Sequence, residues 1–204
     1  MCYSLNASIF SFCVGILSCL YLASMDLALS LYLGFIVLMQ LIDIIFWTHQ
    51  NINHRHINGI MTKVAAIVNV SQPIVLALVI FCINMKTIQP IAIVFTMLYI
   101  LYTFINLYIY WDRIDYTLVI PSSKILYWKW NDLPGSFVFL MLYLACTYTL
   151  ILTSFHIDIA IILISSLTIT LIMGSNKDRA IGRFWCYFAS FIPFFIALYM
   201  GLGT

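Results

Sequence analysis

The stretch from Leu27 to Trp47, LALSLYLGFIVLMQLIDIIFW, holds one charged side chain, Asp43, in 21 residues. At 1.5 Å per residue such a helix spans roughly 30 Å, the thickness of the hydrocarbon core of a bilayer. A surface helix of a soluble domain carries a polar face opposite its apolar stripe, and this run has none. It therefore reads as a membrane span.

Working outward, six further windows pass the same test: Leu5 to Ser24, Lys63 to Ile83, Ile88 to Trp111, Gly135 to Thr153, Ile157 to Gly174 and Gly182 to Leu202. The breaks after the first and fifth windows are short, marked by Ser24 to Asp26 and by Ser154 to Asp158, and predict tight helical hairpins. The region before the first window has no Lys or Arg, and Ser4, Asn6 and Ser8 interrupt it, so it reads as a permanent span rather than a cleaved signal.

Composition requires the same solvent. Of 204 residues 64% are hydrophobic and 8% charged, against about 45–50% and about 25% in soluble domains. The mean hydropathy is +1.07. A soluble domain of this size cannot bury so much apolar surface. The net charge of +2 and the lack of a basic block exclude nucleic acid as a partner. The six cysteines, Cys2, Cys13, Cys19, Cys82, Cys146 and Cys186, show no metal-ligand spacing and read as small buried hydrophobes.

With seven spans the N-terminus shares a side with the loops at 48–62, 112–134 and 175–181. Arg55, Lys63, Arg113, Lys124, Lys129, Lys177, Arg179 and Arg183 lie on or beside that side, and Lys86 alone on the other. Because positive loops stay in the cytoplasm, the N-terminus is expected inside and the C-terminus outside. An even number of spans would scatter the charges.

The expected architecture is an all-α integral membrane bundle, one polytopic domain over residues 1–204. The loop from Asp112 to Pro134 is the only one long enough for structure of its own. Its β-prone runs, Tyr116 to Ile120 and Ile125 to Trp130, flank a turn-like Pro121, Ser122 and Ser123 and allow a small cytoplasmic hairpin over 116–130. Alternatively Tyr127, Trp128 and Trp130, with Trp47 and Trp111, act as interfacial anchors at the headgroups. Both can hold.

A carboxylate within a span is costly, which makes Asp43 the leading site candidate. Gln40, one turn earlier, shares its face, and Trp47 continues the stripe. The third helix offers Asn69, Ser71, Gln72 and Pro73, whose missing N–H frees a carbonyl near Asn69. Asn6 and Ser8 on the first helix and Thr103 and Asn106 on the fourth lie toward the same end. A cytoplasm-facing cavity lined by Asp43, Gln40, Asn69, Gln72, Asn6 and Asn106 would unite these groups. The plainer alternative is that they bond helix to helix, with Asp43 hydrated or paired to Arg55 or Lys63. Ser165, Ser166, Thr168 and Thr170 read as packing groups, and Cys186, Ser190 and Pro193 as an inward seam. His49, His54 and His56 cluster around Arg55 and read as a solvated loop rather than a zinc site.

Absences restrict the chemistry. All four histidines lie outside the spans, no lysine lies in the seventh, and glutamate is absent from the chain. Paired catalytic carboxylates, a Ser–His element and a phosphate-binding glycine loop are missing, so no enzyme, cofactor or metal is expected.

Met1, Cys2, Tyr3 and Ser4, the segment Leu38 to Asp43 ending in Phe46 and Trp47, Ser71–Gln72–Pro73 and Gly182 to Cys186 together resemble uncharacterised multi-pass membrane proteins of large DNA viruses and some bacteria. The resemblance implies a viral origin and a host or virion membrane, without an assigned activity. Seven-helix sugar transporters of the PQ-loop kind carry the reverse order, Pro before Gln. Two functions stand: a small-solute carrier, channel or receptor-like bundle, or a non-catalytic scaffold that recruits a protein partner through the loop at 112–134.

Overall fold

A computed structural model describes residues 4–50, 55–83, 89–114, 117–120, 125–127, 134–175 and 187–202. Within them the chain forms seven helices: α1 (Leu5–Leu22), α2 (Leu27–Thr48), α3 (Arg55–Cys82), α4 (Pro90–Tyr110), α5 (Ser136–Ser154), α6 (Ile157–Ser175) and α7 (Ile192–Leu202). A helical turn at 187–189 precedes α7, and a 3-10 turn, Trp111–Arg113, follows α4. Among the described residues, five stretches are long and apolar enough to cross a membrane: Leu5–Leu22, Leu27–Thr48, His56–Cys82, Pro90–Arg113 and Ser136–Ser154; the apolar helices Ile157–Ile172 and Tyr187–Leu202 are shorter. The chain is thus built as a helical membrane protein.

Local chemistry sets the helix ends. Ser4 caps α1 by accepting from the Ala7 amide at 3.2 Å, and Asp26 caps α2 by accepting from Leu29 at 2.9 Å. Between them the amides of Met25 and Asp26 both return to the Leu22 carbonyl, closing the tight hairpin expected there. Pro90 opens α4, where its missing N–H costs nothing. Gly135, at φ 82°, turns the chain into α5 in the left-handed region that side chains avoid.

Two expectations are corrected. α3 begins at Arg55, eight residues before the apolar window, because Asn58 and Thr62 find polar partners on the loop side and the helix continues beyond the hydrocarbon length. Cys13 and Cys82 are exposed, whereas Cys19 and Cys146 are buried; a lipid-facing surface is as apolar as a core, so apolarity alone does not choose the face. Cys2 and Cys186 lie outside the described residues. So do the first ten residues of the seventh window other than Tyr187–Phe191.

Consecutive helices pack antiparallel. Ser30 donates to the Cys19 carbonyl at 2.7 Å near the α1–α2 turn, and Tyr148 meets Thr168 at 2.9 Å between α5 and α6. Tyr199 of α7 donates to Asp158 in the first turn of α6 at 2.9 Å. α1 and α7 run parallel: Gly15 lies against the Ser190 carbonyl, and Gly201 against the Tyr21 hydroxyl. At Gly15 a Cβ would lie 2.7 Å from the Ser190 carbonyl oxygen and 2.8 Å from a Val37 methyl, so glycine permits the closest approach in this corner. The core runs through α2, with Tyr32, Leu33, Ile36, Val37 and Phe46 fully buried. α4 is peripheral. It buries Ala92, Tyr99 and Thr103 and leaves Met97, Leu101, Phe104, Tyr108 and Ile109 outward.

Of the loop between α4 and α5, two three-residue strands are described. β1 (Leu118–Ile120) pairs antiparallel with β2 (Ile125–Tyr127), in the register Leu118 to Tyr127. Of the hairpin expected over 116–130, the paired strands 118–120 and 125–127 are described. Trp128 and Trp130 lie outside the described residues.

Candidate functional site

The polar residues singled out in the sequence separate into distinct groups. The first lies between α1 and α2. The Ser11 hydroxyl donates to Gln40 Oε1 at 2.9 Å and also lies 3.2 Å from the Ser8 carbonyl. Because these helices are antiparallel, Ser8, one turn nearer the start of α1, is level with Asp43, one turn nearer the end of α2. Ser8, Ser11, Gln40 and Asp43 are all buried, the last three completely. Trp47 continues the stripe at half-burial.

This group holds donors that none of the described residues uses. Gln40 Nε2, Ser8 Oγ and Trp47 Nε1 are buried and have no hydrogen-bond partner among the described residues. A buried unsatisfied polar group costs about 1–3 kcal/mol, whereas an interhelical hydrogen bond in a membrane yields about 0.6 kcal/mol on average. The Ser11–Gln40 bond leaves these three donors without a described acceptor. Packing alone does not account for the cluster, and its donors suit an acceptor that enters from outside, water or solute.

The second group ties α3, α4 and α5 together. Tyr143 donates to Gln72 Oε1 at 2.6 Å, and Tyr99 donates to the Val70 carbonyl at 2.6 Å, next to the carbonyl that Pro73 deprives of its partner. Gln72 is completely buried and α3 stays helical through Pro73. Tyr99 also packs edge-on to Tyr143, with ring centroids 6.0 Å apart. Gln72 therefore serves a clamp with α5, separate from the Ser11–Gln40 pair.

The remaining candidates are dispersed. Asn6 is exposed on the first turn of α1, and residues two apart on a helix point about 200° apart, so it cannot share a face with Ser8. Asn69 is half-buried. Asn106 donates to the Pro134 carbonyl at 3.3 Å, beside Tyr102, which donates to the Gly135 carbonyl at 2.9 Å. Both secure the entry to α5. Gln72 and Asn106 are engaged with α5 and its entry, and Asn6 is exposed, whereas Gln40 lies one turn from Asp43 on α2 and bonds Ser11.

Sequence reasoning missed one junction. The Asn58 side-chain amide donates to the Thr117 carbonyl at 3.0 Å and to the His49 carbonyl at 3.2 Å, while its Oδ1 accepts from the Thr117 amide at 2.8 Å. The Thr62 hydroxyl bonds that of Thr117 at 2.9 Å and donates to the Asn58 carbonyl at 2.8 Å. An Asn and a Thr four residues apart at the start of α3 were the available signal.

Around this junction, Lys63 Nζ lies 5.0 Å from the centre of the half-buried Trp111 ring, and Arg113 lies 5.2 Å from that of Tyr110. His49 Nδ1 lies 2.9 Å from the Ile45 carbonyl, at the end of α2. His54 lies outside the described residues. Comparison with protein-family models, with characterised proteins and with solved structures finds no match.

Proposed function

We propose that the protein is a seven-span bundle, N-terminus in the cytoplasm and C-terminus outside, that takes up a small solute from the cytoplasmic side at the Ser8–Ser11–Gln40–Asp43 site. The observation that carries this reading is the set of unused buried donors around a buried carboxylate. A carboxylate inside a span is maintained at a cost, and ion or solute pathways are where such groups occur. The parallel packing of α1 and α7 supports an odd number of crossings. The eight basic residues that the seven-window reading assigns to the side of the N-terminus, against one on the other, support the orientation.

Uptake into proteoliposomes, scored across a panel of amines, amino acids, sugars and nucleosides, tests it. Asp43→Asn is expected to change uptake and its pH dependence while leaving expression intact. Identical uptake by wild type and Asp43→Asn for every solute would remove the reading.

A second reading is a membrane scaffold of viral type that recruits a protein partner through the loop at 112–134. The Asn58–Thr117 junction favours it, because it fixes the loop against the bundle. Under this reading, deleting residues 116–130 abolishes partner capture and neutralising Asp43 changes only stability; capture of the same partner without the loop contradicts it.

A further inference from the structure

We propose that Lys63 on α3 and the Trp111–Arg113 turn that ends α4 form a headgroup site for a monoanionic glycerophospholipid, whose acyl chains lie along the outward stripe of α4. The inference needs only that these helices cross a membrane, and it is independent of the solute-site reading.

Both cations stand at headgroup depth. The helical rise from Lys63 to Cys82 on α3 is about 29 Å and that from Pro90 to Tyr110 on α4 about 30 Å, each close to the thickness of the hydrocarbon core. Lys63 Nζ lies 5.0 Å from the centre of the Trp111 ring, so the two helix ends meet at one level. Arg113, two residues on in the same turn, lies 5.2 Å from the centre of the Tyr110 ring. A tryptophan at that level is where indole rings settle, between hydrocarbon and headgroups.

The rings orient the cations and do not neutralise them. An aromatic face attracts an ammonium or guanidinium through its quadrupole and leaves the net charge in place. Among the described residues neither Lys63 nor Arg113 has a carboxylate partner. Asp112 is exposed in the same turn, so Lys63, Asp112 and Arg113 together carry a single net positive charge. A phosphodiester with one negative charge matches that balance. The arginine fork suits two phosphate oxygens, and the lysine adds a point charge.

The apolar surface for the acyl chains begins directly below. Tyr108 and Phe104 lie one and two turns before Trp111 on the same side of α4, and they are 86% and 75% exposed. Ile60, Val64 and Ile67 on α3, flanking Lys63 in sequence, are also outward. Such a stripe alone would accept any lipid or a second helix, and the charges at its head decide between them. Two copies of this chain share one orientation in a membrane, so a two-fold contact through this face sets the same cations against each other. An anionic lipid neutralises them instead, at about 1 kcal/mol for each basic residue near the surface.

The test is lipid binding to the purified full-length protein, read by native mass spectrometry with dioleoylphosphatidylglycerol, dioleoylphosphatidylcholine and glycerol 3-phosphate as probes. Phosphatidylglycerol is expected to bind more tightly than phosphatidylcholine with the same chains. Lys63→Gln and Arg113→Gln are each expected to weaken phosphatidylglycerol about fivefold and to leave phosphatidylcholine unchanged. Lys86→Gln, which removes the same charge elsewhere in the sequence, is expected to change neither.

Equal affinity for the two lipids overturns the headgroup site, and so does an equal weakening by Lys86→Gln. Glycerol 3-phosphate binding as tightly as the lipid assigns the cations to a free phosphate and overturns the lipid occupant. With the six native cysteines replaced, efficient disulfide cross-linking of Tyr108→Cys between copies in phosphatidylglycerol vesicles gives the face to a second chain and overturns it as well. If Lys63→Gln does not fold, the exposed Arg113→Gln decides in the same way.

Discussion

Asp43 and Gln40 stand out in the sequence, because a charge and an amide one turn apart in an apolar helix have few reasons to be there. Their partners do not. Ser8 and Ser11 look like mere interruptions in the first apolar window, and only the antiparallel register brings them level with α2. A double-mutant cycle of Ser11→Ala with Gln40→Leu measures that contact, and a coupling of about 0.6–2 kcal/mol is expected in detergent unfolding. Zero coupling would mean that the two side chains do not meet. Gly15 was equally hidden, since glycine in a span has no hydropathy signature. Gly15→Ala is expected to destabilise by about 1–3 kcal/mol through the clash with the Ser190 backbone. Gly34→Ala, whose Cβ would meet only Cys19 at 3.9 Å and beyond, is the tolerated control, so equal melting losses for the two would contradict the α1–α7 packing.

At the level of elements, hydropathy found the apolar segments well and their ends less well. A window measures how long a chain stays apolar, whereas a helix ends where its backbone groups find other partners. α3 therefore starts at Arg55, ahead of its window, because Asn58 and Thr62 satisfy the loop side. The same logic explains why Gln72 and Asn106 left the expected cavity. Each faces whichever neighbour its helix is turned toward: Tyr143 in one case, Pro134 in the other. Removing the Tyr99 hydroxyl bond beside Pro73 with Tyr99→Phe is expected to cost about 1–2 kcal/mol, read as a lower melting temperature. No loss would mean that the hydroxyl does not support the proline turn of α3.

For the whole molecule, the proposed topology rests on the seven-window reading and the charge asymmetry. Epitope tags at the two ends test it: the N-terminal tag is expected to be reached by a cytosolic protease and the C-terminal tag to be protected. Cleavage of both would contradict an odd number of crossings. Function follows less directly, because composition announces the solvent of a membrane protein and says little about its cargo. The direct measurement is thermal stability of the purified wild type and Asp43→Asn across the solute panel. A bound solute at a hundred times its Kd stabilises by about 2.7 kcal/mol. The solute-site account predicts at least one solute that raises the melting temperature of wild type and fails to raise that of Asp43→Asn; a panel in which every solute shifts both proteins equally, or neither, contradicts it.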